Sequence, residues 1–191
     1  LNARALVAGS AVLLLTISAA AQTGGSKRPM TFTDILSMRS TAATAVSPDA
    51  KWMLYTISVP DWKAAKSFTD VYLVSLDGGV ASTRQMTFTK DKNETLPRWS
   101  RDGKLFVFAS NREAPAAAPT QNQLYMMRPD GGEARKITDA KDGVSTFAFS
   151  RDGKWLAFSA GKDDEQQIWI LSIDKLDSEA PAQLTKHATP V

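Results

Sequence analysis

Apolar residues in this chain occur mainly in short runs of five to eight residues, bounded by turn-forming residues. The runs are rich in β-branched and aromatic side chains and are too short for typical helices. In the run at residues 155–158, Leu156 and Phe158 lie on one face of a strand and Trp155 and Ala157 on the other. Because both faces are apolar, the pattern predicts strands of sheets that are covered on both sides.

Three sequence marks recur in the same order along the chain. The first is a turn motif followed by a strand: SPDAKWMLY at 47–55, SRDGKLFVF at 100–108 and SRDGKWLAF at 150–158, spaced by 53 and 50 residues. The second is an aromatic-aliphatic run at 70–79, 123–132 and 167–174, and the third is an apolar-Thr pair closing 85–87, 136–138 and 183–185. Each unit therefore predicts four strands: one entering the turn, one leaving it, one carrying the run and one ending in the pair. Four strands per repeat are typical of a β-propeller blade.

The Asp-Gly pairs in these turns have a local physical role. Asp bonds nearby backbone amides, and Gly adopts the positive φ that a tight hairpin needs. Ala50 replaces Gly in the first unit. Since a left-handed non-glycine residue costs about 1 to 2 kcal/mol, we expect a different type of turn there.

The organisation predicted along the chain is an exported, all-β protein. Arg4, the apolar run at 5–17 and the Ala-rich end before Gln22 are typical of a secretory signal peptide, which predicts a periplasmic or secreted protein with no membrane contact after cleavage. The predicted segments are a signal at 1–21, a leader at 22–43, and a partial propeller at 44–191 with blades at roughly 44–90, 91–140 and 141–187. Thr31 or Thr33 is expected to cap a short helix over 34–38, and the Ala- and Pro-rich loop at 113–120 is expected to be exposed.

Three blades are too few to close a ring, since propellers typically have about four to eight, and an open end would leave an apolar sheet face in water. We therefore expect the chain to be a truncated part of a longer product.

Composition excludes several kinds of chemistry. The 191 residues include 23 Lys and Arg, 20 Asp and Glu, no Cys and one His, with a formal net charge of +3. The charges are scattered, so no basic stripe indicates nucleic-acid binding. Without cysteine there are no disulfides or thiolate sites. No cofactor loop and no Gly-x-Ser-x-Gly elbow occurs in the sequence, so we predict no catalytic, cofactor or metal site in this chain.

Individual residues that could carry chemistry have simpler interpretations. His187 is interpreted as an exposed loop residue, and Asp163, Asp164 and Glu165 as a solvated acidic turn, because their spacing does not match a calcium loop. The Asn93 sequon is a short pattern that is common by chance. Trp62 falls outside the repeat and its role stays open. The other four tryptophans fall on repeat positions and are expected in the core: Trp52, Trp99, Trp155 and Trp169.

The sequence as a whole resembles the start of prolyl oligopeptidase-family serine peptidases, with the acylaminoacyl-peptidase and dipeptidyl-peptidase branch looking closest. The resemblance covers residues 30 to 191 and depends on MTFTDIL at 30–36, VSPDAKW at 46–52, TDVYLV at 69–74 and PRWSRDGK at 97–104. It implies a seven- or eight-bladed propeller over a C-terminal α/β-hydrolase domain that carries the Ser, Asp and His of acyl transfer. The propeller would admit short peptides or acyl-peptides and exclude folded proteins.

Two questions stay open after this comparison. In the dipeptidyl branch a pair of propeller glutamates binds the substrate's amino terminus, and the sequence does not assign Glu94, Glu113, Glu133 or Glu165 to that role. The alternative function is a TolB-like periplasmic propeller that binds partner proteins without catalysis, and a stand-alone secreted scaffold or lectin is a third option. TolB places an α/β domain before its propeller, whereas about 25 residues separate the predicted cleavage site from the first blade, which is too few for a stable domain.

Overall fold

The computed structural model describes residues 27–115, 117–162 and 165–186. The chain divides into two compact units, Leu1–Thr31 and Phe32–Val191. Residues 27–31, the described part of the first unit, contain no helix or strand. The predicted signal segment at 1–21, Asp163, Asp164 and His187 lie outside the described residues.

The described part of the second unit contains a short helix and three four-stranded antiparallel sheets, each in the strand order that a propeller blade has. The helix is α1 (Phe32–Leu36). The first sheet contains β1 (Ser40–Val46), β2 (Trp52–Asp61), β3 (Lys66–Ser75) and β4 (Arg84–Gln85). The second contains β5 (Glu94–Trp99), β6 (Phe106–Ser110), β7 (Gln123–Arg128) and β8 (Gly131–Lys136), and the third β9 (Val144–Phe149), β10 (Trp155–Ala160), β11 (Gln167–Ser172) and β12 (Ala182–Gln183). The predicted all-β fold with three four-stranded units is confirmed, and the three sheets do not close a ring.

The first elements begin earlier than the sequence indicates. The helix spans Phe32–Leu36 rather than 34–38, and no side chain in it is buried. Strand β1 begins at Ser40, before residue 44, because β2 and β3 form a hairpin of ten residues each that offers partners to Ser40, Thr41 and Ala42. No helix among the described residues is long and apolar enough to span a membrane.

The turn between the first two strands of each sheet is held by the Ser and Asp side chains of the repeat. The Ser47 hydroxyl donates to Asp49 Oδ1 at 2.6 Å and accepts from the Trp52 N–H at 2.9 Å, and Asp49 Oδ1 also accepts from the Lys51 N–H at 3.1 Å. The same bonds recur in the other sheets around Ser100 and Asp102 and around Ser150 and Asp152. The Ser hydroxyl, followed by other contacts, lowers the pKa of the Asp in all three turns.

The prediction that Ala50 changes the type of turn is wrong. Ala50 has a φ of +56°, in the same left-handed region as Gly103 at +70° and Gly153 at +75°. Its N–H donates to Ser47 O at 2.9 Å, as the N–H of Gly103 does to Ser100 O at 3.0 Å. The side-chain hydrogen bonds of the turn therefore impose the left-handed backbone despite the Cβ atom.

The apolar-Thr pair does not lie in the fourth strand but directly after it, where the Thr side chain replaces a strand partner. Thr138 Oγ1 accepts from the Leu124 N–H at 2.9 Å and donates to Gln123 Oε1 at 2.8 Å. Thr87 makes the same two bonds with Val71 and Asp70, and Thr185 makes them with Ile168 and Gln167. We call this arrangement the threonine clasp. It explains why the third mark of the repeat requires a hydroxyl.

Two apolar clusters join the sheets in sequence order. Between the first and second sheets, Leu54, Val71 and Leu73 pack against Phe106 and Phe108, all fully buried. Between the second and third sheets, the residues that pack together are Val107, Ala109, Leu124, Leu156, Phe158 and Leu171. The second sheet is thus covered on both faces, as the alternation of its strands predicts.

The tryptophans divide between core and surface. Trp99 is 8% exposed and its Nε1 donates to Ala45 O of the first sheet at 3.0 Å, whereas Trp52 and Trp169 pack at the edges of the clusters. The expectation of core packing is wrong for Trp155, which is 41% exposed. Trp155 lies on the face of the third sheet opposite Leu156, and no other described sheet covers that face.

Trp62 and the loop at 113–120 lie at the surface. Trp62 is 73% exposed at the tip of the β2–β3 hairpin, after Asp61, whose side chain accepts from the N–H groups of Lys63 and Ala64. The described residues of the loop are exposed or half-buried, which agrees with the prediction.

Candidate functional site between the first two sheets

The most unusual polar group in the described chain is Glu94, the first residue of β5, whose side chain is fully buried. Its Oε1 accepts a hydrogen bond from Ser110 Oγ at 3.0 Å and an ion-pair contact from Arg112 Nη2 at 3.2 Å. Its Oε2 is buried without a hydrogen-bond partner among the described residues. A buried carboxylate with one unsatisfied oxygen is costly, so the position marks a candidate functional site.

Arg112 closes this site on its outer side. The side chain of Arg112 is 19% exposed, and its Cζ lies 4.5 Å from the centroid of the Tyr125 ring and 5.4 Å from that of Phe108. The two rings are themselves stacked, with centroids 5.9 Å apart. The guanidinium therefore lies on an aromatic surface while it contacts Glu94, an arrangement that a planar cation suits better than an ammonium group.

A second carboxyl group, Asp70 of the first sheet, lies within interaction range of Glu94. The two groups interact electrostatically, and the adjacent residues Thr69 and Asn93 form a parallel bridge between the sheets. Burial raises the pKa of Glu94, and the Ser110 hydroxyl and Arg112 partly oppose that rise. Burial also raises the pKa of Asp70, against a hydrogen bond from Thr87 Oγ1 at 3.1 Å. Both carboxyl groups thus hold their protons at higher pH than exposed ones.

The corresponding position in the third sheet is apolar. Glu94 pairs with Ser110 in the second sheet, and Val144 pairs with Ala160 in the third. Lys162 follows Ala160 by two residues, as Arg112 follows Ser110. The second sheet therefore has a carboxylate, a hydroxyl and a guanidinium where the third has Val, Ala and Lys. The sequence analysis did not identify this cluster, although a charged residue at an apolar repeat position was a signal for it.

The glutamates that the sequence left unassigned do not come together as a pair. Glu94 is buried against Arg112, while Glu113 is ion-paired with Lys136 at 3.2 Å. Glu133 and Glu165 are exposed. Burial and the nearby Glu113 raise the pKa of Tyr125 to about 12, so this phenol stays neutral beside Arg112.

The chemistry available at this cluster is proton storage and electrostatic positioning. Two acids with raised pKa values and one guanidinium can hold a proton and orient one another, and the Ser110 hydroxyl of the cluster donates its hydrogen bond to Glu94. No group of acidic or imidazole side chains that could hold a metal ion occurs within residues 27–115, 117–162 and 165–186. The expectation that this chain has no catalytic, cofactor or metal site stays a prediction.

Sequence comparison links the chain to peptidases. It is 32% identical over 161 residues to peptidase YuxL of Bacillus subtilis, covering 83% of this chain and 23% of YuxL. It is 34% identical over 155 residues to dipeptidyl-peptidase 5 of Porphyromonas gingivalis, covering 81% of this chain and 21% of that protein. The chain thus matches less than a quarter of the length of these two relatives. No family model matches the chain.

Solved structures share its fold at low sequence identity. The propeller domain of the trilobed protease from Pyrococcus furiosus aligns with a TM-score of 0.58 at 16% identity, covering 78% of this chain and 43% of the other. Acylaminoacyl peptidase from Pyrococcus horikoshii aligns with a TM-score of 0.58 at 13% identity, covering 78% of this chain and 26% of the peptidase. A TolB from Agrobacterium tumefaciens aligns with a TM-score of 0.56 at 21% identity, covering 75% of this chain and 48% of the TolB chain.

These results agree with the three-sheet architecture and with the resemblance in the sequence. These two sequence relatives are named peptidases, and the structural neighbours contain β-propellers of peptidases and of TolB. The chain is therefore a β-propeller segment homologous to part of the peptidases YuxL and dipeptidyl-peptidase 5, with the fold of the propellers in the acylaminoacyl peptidase family.

Proposed function

We propose that the chain is the propeller of an exported serine peptidase of the prolyl oligopeptidase type, which hydrolyses short peptides or acyl-peptides. The observation that carries the proposal is the similarity to two named peptidases over more than four fifths of the chain. The parent protein would act in the periplasm or after secretion, with short peptides as its partners and no nucleic acid.

The catalytic residues would belong to a C-terminal α/β-hydrolase domain of the same polypeptide. There a serine activated by a histidine attacks the peptide carbonyl, and a carboxylate orients the histidine. The contribution of this chain would be to control access to that serine. Sheets joined by continuous apolar clusters form a rigid wall, and such a wall admits a flexible peptide more readily than a folded protein.

The experiment uses the full-length product of the gene. We expect a serine-directed fluorophosphonate to label it, and we expect it to cleave chromogenic dipeptidyl or N-acyl-peptide substrates but not a folded protein that carries the same sequence in a surface loop. The 191-residue chain alone is the control and should show neither reaction. If the full-length product is neither labelled nor active on these substrates, the peptidase proposal is wrong.

The structural similarity to TolB supports a second candidate function, a propeller that binds partner proteins without catalysis. This function predicts a full-length product that is inert to the fluorophosphonate and that forms a stable complex with another exported protein. The labelling experiment therefore separates the two candidates, because only a peptidase has an activated serine. Fractionation of the host cell tests the proposed export for both of them.

A further inference from the structure

A cavity of about 430 Å³ lies between the third sheet and the loop at 139–142, which joins it to the second sheet. Its floor is formed by Phe158 and Trp169 of the third sheet, with Ala140 and Pro181 beside them. Phe158 and Trp169 are cross-strand partners on β10 and β11, so their rings lie next to each other on the sheet surface. The cavity is therefore an aromatic recess that opens toward the loops.

The repeat places an equivalent recess between the first and second sheets. There Phe108 and Tyr125 are the cross-strand partners, as Phe158 and Trp169 are in the third sheet. Arg112 fills that recess, with its guanidinium 4.5 Å from the Tyr125 ring. The second sheet thus shows which chemical group this aromatic pair accepts.

The third sheet does not place its own cation over the rings of the recess. Lys162 has the repeat position of Arg112, but its side chain is exposed. Within the described ranges the cations that lie over aromatic rings are Arg84 and Arg112, and neither contacts Phe158 or Trp169. In the third sheet no described cation lies over the half-buried Trp169, while Phe158 beside it is 4% exposed and packs in the core.

Charged side chains of both signs line the recess. Among the described residues they are the acids Asp139, Asp142 and Glu165 and the lysines Lys141 and Lys162. Asp139 is bonded to Lys136 at 2.7 Å, whereas Asp142 and Glu165 are exposed at the mouth. Carboxylates at the mouth of an aromatic recess favour a planar cation that can bond them through its N–H groups while its face stacks on the rings.

We propose that this recess binds the arginine side chain of a peptide, in the place that Arg112 has within the preceding repeat. The guanidinium stacks on the half-buried ring of Trp169, beside Phe158, and its outward N–H groups reach the carboxylates that line the recess. This site requires neither a hydrolase domain nor a catalytic step, so it is independent of the proposed function.

The first experiment titrates the 191-residue chain with the peptide acetyl-Gly-Arg-Gly-amide and follows the indole resonance of Trp169 by NMR. We expect a saturable shift, and at least fivefold weaker binding of the citrulline peptide, which has the same shape without the charge. Trp169→Leu, followed through its backbone amide resonances, should abolish binding, and Trp62→Leu, which removes an exposed tryptophan elsewhere, should leave it unchanged. Thermal unfolding of both variants checks that they remain folded.

A second experiment uses the repeat itself and does not alter the core. Lys162→Arg should fill the recess from within and weaken binding of the arginine peptide at least fivefold, whereas Lys162→Gln should retain it. Equal binding of the arginine and citrulline peptides, or no saturable shift at Trp169, would overturn the proposal. Free arginine is a further arm: if it binds as tightly as the peptide, the site recognises a guanidinium alone and the assignment to peptides is wrong.

Discussion

At the scale of single residues, side-chain hydrogen bonds decide the backbone of the turns. Ala50 adopts a φ of +56° because Ser47 and Asp49 bond the N–H groups of Trp52 and Lys51. Its strain is local, since the turn in the second sheet makes the same bonds around Gly103, where no Cβ is present. In the first turn an alanine thus has the backbone conformation that glycine has in the other two turns, and mutation can measure the strain that this causes.

Ala50→Gly should raise the free energy of unfolding by about 1 kcal/mol, because it removes the left-handed strain of a residue with a Cβ. The matched variant is Gly103→Ala, which should lower it by a similar amount, since a Cβ there would meet the Pro48 ring, with Cδ nearest at 3.5 Å, in ordinary van der Waals contact. Urea denaturation of both variants measures the two changes. Effects of the same sign would contradict this account of the turn.

At the scale of elements, the threonine clasp ends each sheet and joins the third strand to the segment that follows the fourth. In the second and third sheets the Thr hydroxyl donates to a neutral amide, of Gln123 or Gln167. In the first sheet it donates to a carboxylate, Asp70, whose pKa is raised by burial. The clasp itself needs only an acceptor oxygen, so the charge of Asp70 is not required by the fold.

The free energy of unfolding of Asp70→Asn, relative to that of wild type, should therefore be higher at neutral pH than at acid pH. A carboxyl group with a raised pKa binds more protons in the folded state than in the unfolded state at pH values above its ordinary pKa of 3.8. Its contribution to stability is complete below that pH and is lost as the pH rises through the folded pKa. The asparagine variant lacks this loss, and removal of the Asp70 charge also eases the ionisation of Glu94.

The measurement is the free energy of unfolding of wild type and Asp70→Asn between pH 4 and pH 7. We expect the variant to gain on wild type as the pH rises, by less than ~1 kcal/mol because Asp70 is only partly buried and solvent screens it. Asp130→Asn, at an exposed ion pair with Arg128, is the control and should show no such gain. A difference between Asp70→Asn and wild type that does not change with pH would count against the raised pKa.

At the scale of the whole molecule, stability depends on how each sheet covers its neighbour. The second sheet is covered on both faces by apolar clusters, and it also carries the buried Glu94 and Arg112 on the side of the first sheet. A buried ion pair is strongly destabilising when one partner is removed, yet the pair can be replaced by apolar residues at little cost. The third sheet shows such a replacement, with Val144 at the position of Glu94.

Arg112→Leu should lower the free energy of unfolding by about 3 kcal/mol, because it leaves Glu94 buried without its cation. The double variant Glu94→Val with Arg112→Leu should recover most of that loss. Arg128→Leu, which breaks an exposed pair, should change stability by less than about 0.5 kcal/mol. If the double variant is no more stable than Arg112→Leu, the pair has a structural role that apolar packing does not replace.

The sequence by itself determined the three sheets, because the marks of the repeat act locally. A Ser and an Asp two residues apart bond the next few N–H groups, and short apolar runs pair with the runs that follow them. Such contacts require no knowledge of distant residues. The propeller could be predicted from them, whereas the relation to peptidases was indicated by the resemblance of the leader at 30–36 to a known family.

Only the tertiary structure decided where the buried charge lies and which faces are covered. Glu94 contacts Arg112, which lies 18 residues away, and Asp70 of another sheet, while Trp155 shares a repeat position with Trp52 and yet lies on an uncovered face. The physical reason is that desolvation and aromatic stacking depend on which surfaces meet. The spacing of the repeat specifies the strands of each sheet, but it does not specify which side chains of the neighbouring sheet pack on its faces.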